Sequence, residues 1–270
     1  MKSIVKVSIF AMLFVITACS TSSTGRKQVL LFSPDKLNQM GSASFDELKK
    51  QEKISKNKAV NQFVQCVANG IIPQVPQSVH KGAWEIVVFD SEQVNAFALP
   101  GGKIGVYTGI LKVTENQDQL AAIIGHEVGH VIEQHSNERM SSKQLSQTGM
   151  AVAGLVMTSQ EVKHQDKWMM GLGLGLHIGV LMPYSRSHES EADIIGQELM
   201  ARSGFKPQAS VKLWQNMSKL SQAKGKTAPA EFMSTHPSNN SRIKALTAHL
   251  PKSNALLATK LRPQCIKPKL

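Results

Sequence analysis

The segment "IIGHEVGHVIEQH", Ile123–His135, holds three of the nine histidines of this 270-residue chain, two of them flanking a glutamate. In a helix, residues four apart share a face, so His126 and His130 project together. Both imidazoles can then reach one Zn2+ at about 2.0–2.1 Å. Glu127 lies about 100° round the helix, beside such an ion rather than on it. From there it can accept the proton of a water whose pKa zinc lowers to ~7. Two histidines do not complete a zinc site, and the source of the third ligand separates one fold from another.

In the metzincin arrangement a glycine and a third histidine follow on the same segment, but Glu133 and Ser136 occupy those positions. His135 does not substitute, because it falls about 180° from His126 on a helical wheel; it reads as a structural or surface histidine. The better candidate lies in "SRSHESEADIIGQE", Ser185–Glu198. Glu189 and Asp193 are four apart and share a face, so Glu189 can be the carboxylate ligand. Asp193 can then accept a hydrogen bond from the far nitrogen of a ligand histidine, fixing its tautomer. Pairing Glu127-x-x-His130 with Glu161-x-x-His164 as a di-iron bundle leaves His126 and Asp193 unexplained, and the strands of this chain do not suit a four-helix bundle.

Outward from this segment, Thr114 with Gln117 three residues on predicts the start of the histidine helix, and Leu120, Ile124, Val128 and Val131 keep helical spacing. "AWEIVVFDS" (83–91) reads as a strand. "NAFALPGGKIGVYTG" (95–109) reads as two short strands about a Pro-Gly-Gly turn. Helices are expected at about 35–53, 58–71, 142–160, 167–182, 186–203, 207–222 and 239–249. Gly204 serves as a C-terminal stop for the fifth of these. The stretch Trp168–Met182 is uncharged over fifteen residues and too short to span a bilayer; it reads as a buried or lid-forming helix, with a membrane-dipping segment as the alternative.

The motif HEVGH (126–130), the string Glu189–Asp193 preceded by Ser185-Arg186, and "STHPSNNSRI" (234–243) resemble the CAAX-prenyl-protease/HtpX-type metallopeptidases. These are gluzincins, with zinc held by two histidines and a glutamate. "NAFALPGGKIGVYTGIL" (95–111) is similar to the segment before their active-site helix, and the likeness runs in order from about Ala83 to Leu246. It implies an α+β fold, a mainly helical metallopeptidase domain over 35–270 with a small β-sheet or hairpin before the HExxH helix. It also implies one Zn2+ per chain on His126, His130 and Glu189, with Glu127 as catalytic base and Asp193 behind the ligands. His236 matches an active-site histidine near the open coordination position, where it stabilises an oxyanion or occupies the site at rest. Arg242 either assists electrostatically or is a surface helix arginine. The strand Lys103, Ile104, Gly105, Val106 and Tyr107 is either an edge to which an extended substrate adds or a structural hairpin.

At 41% hydrophobic and 19% charged residues, the composition is that of a globular protein. Twelve methionines against 5% aromatics point to an aliphatic, adaptable core. Residues 1–18, with Lys2, Lys6 and an apolar run from Val7 to Ile16, read as a signal peptide. Ile16-Thr17-Ala18-Cys19 resembles a bacterial lipobox, so Cys19 is expected to carry lipid and 19–34 to form a tether. Loss of the leader lowers the formal charge from +12 to +10. Scattered lysines and few aromatics exclude nucleic acid as a partner. Cys66 and Cys265 remain, and an oxidising compartment would pair them.

With no transmembrane segment expected after the leader, the chain resembles the soluble, lipoprotein-type branch. That implies a periplasmic location, lipid-anchored to the outer membrane. The implied function is degradation of unfolded or misassembled envelope proteins. The alternative is a chaperone-like assembly factor with conditional protease activity.

Overall fold

Asn116 caps the histidine helix: its side chain accepts from the backbone N–H groups of Asp118 and Gln119 at 3.0 and 3.1 Å. The expected cap at Thr114 is displaced by two residues, because Thr114 closes the preceding helix, its N–H donating to the Ile110 carbonyl and its hydroxyl to the Leu111 carbonyl. The computed structural model describes residues 19–160, 162–176, 182–223, 236, 240–258 and 262–269. The leader, part of the glycine-rich segment and most of 224–239 lie outside the described residues.

In chain order the described elements are β1 (Cys19–Thr21), β2 (Lys27–Val29), α1 (Pro34–Gln51), α2 (Lys58–Ile71), β3 (Glu85–Phe89), β4 (Ala96–Leu99) and β5 (Lys103–Tyr107). They continue with α3 (Thr108–Val113), α4 (Gln117–Ile132), α5 (His135–Ser159), α6 (Gln165–Leu176), α7 (Met182–Arg202), α8 (Gln208–Ala223) and α9 (Asn240–Ala255). This is the α+β class, helix-dominated, with a small sheet ahead of α4. Among the described residues, no helix is long and apolar enough to cross a membrane.

The chain divides into two compact units. One joins the described residues up to Ser33 with Glu133–His188. Here β1 and β2 pair antiparallel, and the segment after them is tied to the start of α5. Leu31 N–H donates to Ser141 Oγ at 2.8 Å and Phe32 N–H to Asn137 Oδ1 at 3.2 Å. Glu138 is fully buried and takes Arg26 in a two-pronged pair at 2.5 and 2.7 Å, with His188 Nε2 at 2.9 Å. His135 stacks on His188 with centroids 4.2 Å apart, so it is a structural histidine. Although burial works against ionisation, His188 and Arg26 hold the Glu138 carboxyl down at about 2. Its ionised pairs therefore stabilise fully above the ordinary value of 4.5, and that stabilisation is lost as pH falls from 4.5 towards 2. The loss is expected to reach about 3 kcal/mol. Amide-exchange protection at Leu31 and Phe32, corrected for intrinsic rates, should fall in that window and show no such step in Glu138→Gln.

The second unit, Pro34–Ile132 with Glu189–Leu270, holds the main core. α2 buries Phe63, Val64 and Val67, β5 buries Ile104 and Val106, and α4 buries Leu120, Ile123 and Ile124. Phe45, Phe89 and Tyr107 form a smaller aromatic cluster beside it. The core is largely aliphatic, and Met200 and Met217 are its buried methionines among the described residues. Cys66 on α2 is bonded to Cys265, S–S 2.01 Å. The tail so fixed runs against the start of α4, where Gln117 Oε1 accepts from Cys265 N–H at 2.7 Å and Gln117 Nε2 donates to the Pro263 carbonyl at 2.9 Å.

The sheet order is β3-β5-β4, with β3 parallel and β4 antiparallel to β5. The Pro100–Gly102 turn forms as expected, with Gly101 and Gly102 both at positive φ. The substrate-edge role expected for Lys103–Tyr107 is corrected by this order. β5 is the central strand, its backbone groups taken on both sides by Glu85–Phe89 and Ala96–Leu99. The outer side of β3 is partly covered by a bridge from Ile54 to Phe89. Within this three-stranded sheet, β4 is thus the strand with no pairing on its outer side among the described residues.

Candidate metal centre

Helices α4 and α7 cross where neither has a side chain. A Cβ built on Gly196 would stand 2.6 Å from the backbone nitrogen of His126, and one on Gly125 would stand 2.8 Å from the Gly196 carbonyl oxygen. One turn away, Gly129 lies against the backbone of Ala192. This close approach brings Glu189 of α7 to the histidine face of α4. Gly125, Gly129 and Gly196 were not singled out from the sequence. Their signal was there, in small residues on the two faces that must meet.

Four side chains of the second unit then converge: His126, His130, Glu189 and His236 each offer a ligand atom, and these atoms lie within 4.8 Å of one another. His126 Nε2 is 3.1 Å from His130 Nε2, 3.2 Å from His236 Nδ1 and 3.3 Å from Glu189 Oε2. His236 Nδ1 is 3.0 Å from Glu189 Oε2, and His130 Nε2 is 3.5 Å from Glu189 Oε1. Ligands of a tetrahedral zinc at the usual bond lengths stand about 3.4 Å from each other. One imidazole nitrogen has at most one proton, so His126 Nε2 cannot satisfy three neighbours by hydrogen bonding. The donor set fits a metal.

Charge leads to the same conclusion. Glu127, Glu189 and Asp193 are buried within reach of one buried guanidinium, Arg242. Burial alone would lower the His126 pKa, but Asp193 and Glu189 raise it to about 9. Two carboxylates that draw a proton onto a buried imidazole mark a site short of positive charge, and a dication would make it up. Burial pushes the Glu127 carboxyl up, against the pull of His236 and His126. Glu127 Oε1 has no hydrogen-bond partner in the described structure, the His236 Nε2 standing off at 3.5 Å.

Asp193 Oδ1 lies 3.1 Å from His126 Nδ1. That placement favours the Nδ1–H tautomer, which would leave Nε2 to ligate. Arg242, left open by its sequence, is 2% exposed. Its Nε and Nη2 donate to Asp193, both at 2.7 Å, and Nη1 lies 3.0 Å from Glu189 Oε2. Its guanidinium carbon sits 3.8 Å over the Trp214 ring, and that ring also meets His126 edge-on. Arg242 is therefore neither a surface arginine nor aimed at a reacting group, since its nitrogens are given to Asp193 and Glu189. Trp214 is a further site residue that sequence reasoning missed; only its place on the apolar face of α8 marks it.

The family model of peptidase family M48 matches residues 56–250. The chain is similar to the mitochondrial metalloendopeptidase OMA1 of Saccharomyces cerevisiae, 34% identical over 68% of this chain and 52% of that protein. It is similar to the Schizosaccharomyces pombe protein of the same name, 35% identical over 63% and 48%. The beta-barrel assembly-enhancing protease of Escherichia coli is 26% identical over 76% of this chain and 42% of that protein. The chain thus spans about half the length of the curated relatives it matches. The expected periplasmic location, lipid-anchored to an outer membrane, is corrected: mitochondrial proteins are the more identical relatives here and point away from it. Lys2, Lys6 and a short apolar run specify a basic, apolar segment, a chemistry that does not by itself name a membrane.

Proposed function

This chain belongs to peptidase family M48, and on that premise we propose that it is a zinc endopeptidase cleaving unfolded or misassembled proteins. The observation that carries the reading is the convergence of His126, His130, Glu189 and His236 with donor separations of a tetrahedral set. When bound, zinc supplies a Lewis acid that polarises a peptide carbonyl and lowers the pKa of water. His126, His130 and Glu189 would hold it, Asp193 keeping His126 in its ligating tautomer. Glu127 takes the proton of the attacking water at Oε1 and returns it to the leaving amine. Burial supports that role, because it raises the basicity of the carboxylate. An extended peptide pairs along the open side of β4. Extended pairing needs unfolded chain, which is the ground for the substrate class.

His236 serves as the resting occupant of the fourth position, its Nδ1 lying among the ligand atoms rather than outside them. Removing it by His236→Ala is expected to raise basal cleavage by about 10-fold, as for an enzyme competent in roughly a tenth of its molecules. A fall in kcat instead would put His236 at the reacting carbonyl. The proposed function is tested with one protein in two states. The purified chain should cut the reduced, unfolded form and spare the oxidised, folded one. Activity should vanish on chelation and return with one equivalent of Zn2+. Cleavage that survives chelation sinks the metal chemistry, and equal cleavage of both states sinks the substrate class.

A further inference from the structure

Trp214 stands between side chains of two other helices. It lies on α8 and is 3% exposed. Its ring is 3.8 Å from the guanidinium carbon of Arg242, on α9, and meets the ring of His126, on α4, at 5.8 Å and 71°. Arg242 in turn holds two carboxylates of α7. Its Nε and Nη2 donate to Asp193, each at 2.7 Å, and its Nη1 lies 3.0 Å from Glu189 Oε2. Trp214 therefore touches one residue of the metal centre and stands one residue behind another.

A guanidinium makes its hydrogen bonds in its own plane. Those bonds fix where the edges of Arg242 lie, but they resist a tilt of the plane only weakly. A flat ring against the face opposes that tilt. It also attracts the cation without taking any N–H donor from the carboxylates. An aliphatic side chain would fill the space and do neither. A tilt of Arg242 would be felt twice, since Asp193 faces His126 Nδ1 at 3.1 Å and Glu189 offers a ligand atom itself. Along α8 the buried neighbours Leu213 and Met217 are not aromatic; the ring stands at the position that faces the cation.

We propose that Trp214 is a positioning residue of the metal centre: by holding the plane of Arg242 it sets the orientation of Asp193 and Glu189, and so the affinity for zinc. This rests on the zinc chemistry proposed for the site. Competition of the purified full chain with a chromophoric chelator measures the affinity, and the wild type should take up one equivalent of zinc. Trp214→Leu should bind zinc about 10-fold more weakly, the lower end for removing support behind a metal ligand. Trp214→Phe keeps an aromatic face and should stay within about 3-fold of the wild type. Arg242→Lys keeps the charge but offers the ring no face, and should by itself lose about as much as Trp214→Leu. In the Arg242→Lys background, Trp214→Leu should cost less than about 2-fold more, whereas a packing role would act equally in both backgrounds. In the zinc-free chain, the Arg242 Nε–H should exchange with water at least about 10-fold faster in Trp214→Leu than in the wild type or Trp214→Phe. Wild-type affinity in either Trp214→Leu or Arg242→Lys overturns the proposal and leaves the zinc chemistry standing. So do equal losses in Trp214→Leu and Trp214→Phe, or in both Arg242 backgrounds. A wild-type chain that takes up no zinc sinks the zinc chemistry, and this proposal with it.

Discussion

Glu127→Gln is expected to lower kcat/KM by about 10³- to 10⁴-fold while zinc content stays at one per chain. The amide matches the carboxylate in shape, so the ligand positions of His126, His130 and Glu189 are undisturbed. What goes is the one buried carboxylate oxygen without a hydrogen-bond partner among the described residues, the atom that accepts the proton. Stability should hold or rise slightly, because a desolvated charge with no hydrogen-bond partner is removed from the interior. Equal losses of activity and of bound zinc would make Glu127 a structural residue instead. The same variant separates cleavage from assembly. If it supports cellular function as well as the wild type does, the chain acts as an assembly factor, and proteolysis is secondary.

Those parts of the site written as helical periodicity were legible in the sequence. Four-residue spacing put His126 with His130 and Glu189 with Asp193, because one face of a helix is a local property. The Pro100–Gly102 turn was local in the same sense. His236 had no periodic partner, and only the family likeness singled it out. Arg242 could not be resolved, since its burial is created by Asp193, Glu189 and Trp214, which reach it from two other helices. Of the two readings of β5, edge or structural hairpin, the sequence could not choose, because a hairpin announces its own pairing but not what lies on its other side. The parallel pairing of Glu85–Phe89 with Lys103–Tyr107 carries no signal within either strand. The grouping of Glu133–His188 with the N-terminal residues depends on Glu138 meeting Arg26, a contact across 112 positions.

Gly196→Ala sets two physical effects against each other, and packing should win. By helix propensity alone, alanine would stabilise α7 by about 1 kcal/mol. The new methyl, however, would stand 2.6 Å from His126 N and 2.8 Å from the Gly125 carbonyl carbon, all backbone atoms that no rotamer change can move. The helices must part by about 1 Å, at an overpacking cost of 1–3 kcal/mol or more. Glu189, Asp193 and Gly196 lie at i, i+4 and i+7, so the separation falls on the stripe that delivers the third ligand. A misplacement of that size is expected to cut kcat/KM by at least about 10²-fold and zinc affinity by about 10- to 100-fold. Thermal unfolding with and without chelator reads the two parts separately. The variant should lose stability in both, and lose more with zinc present, since weaker binding returns less stabilisation to the native state. Gly149→Ala, where nothing lies within 4 Å of the added methyl, should gain the alanine propensity in dilute solution. If Gly196→Ala gains it too, the close crossing of α4 and α7 is not what holds Glu189 at the histidines.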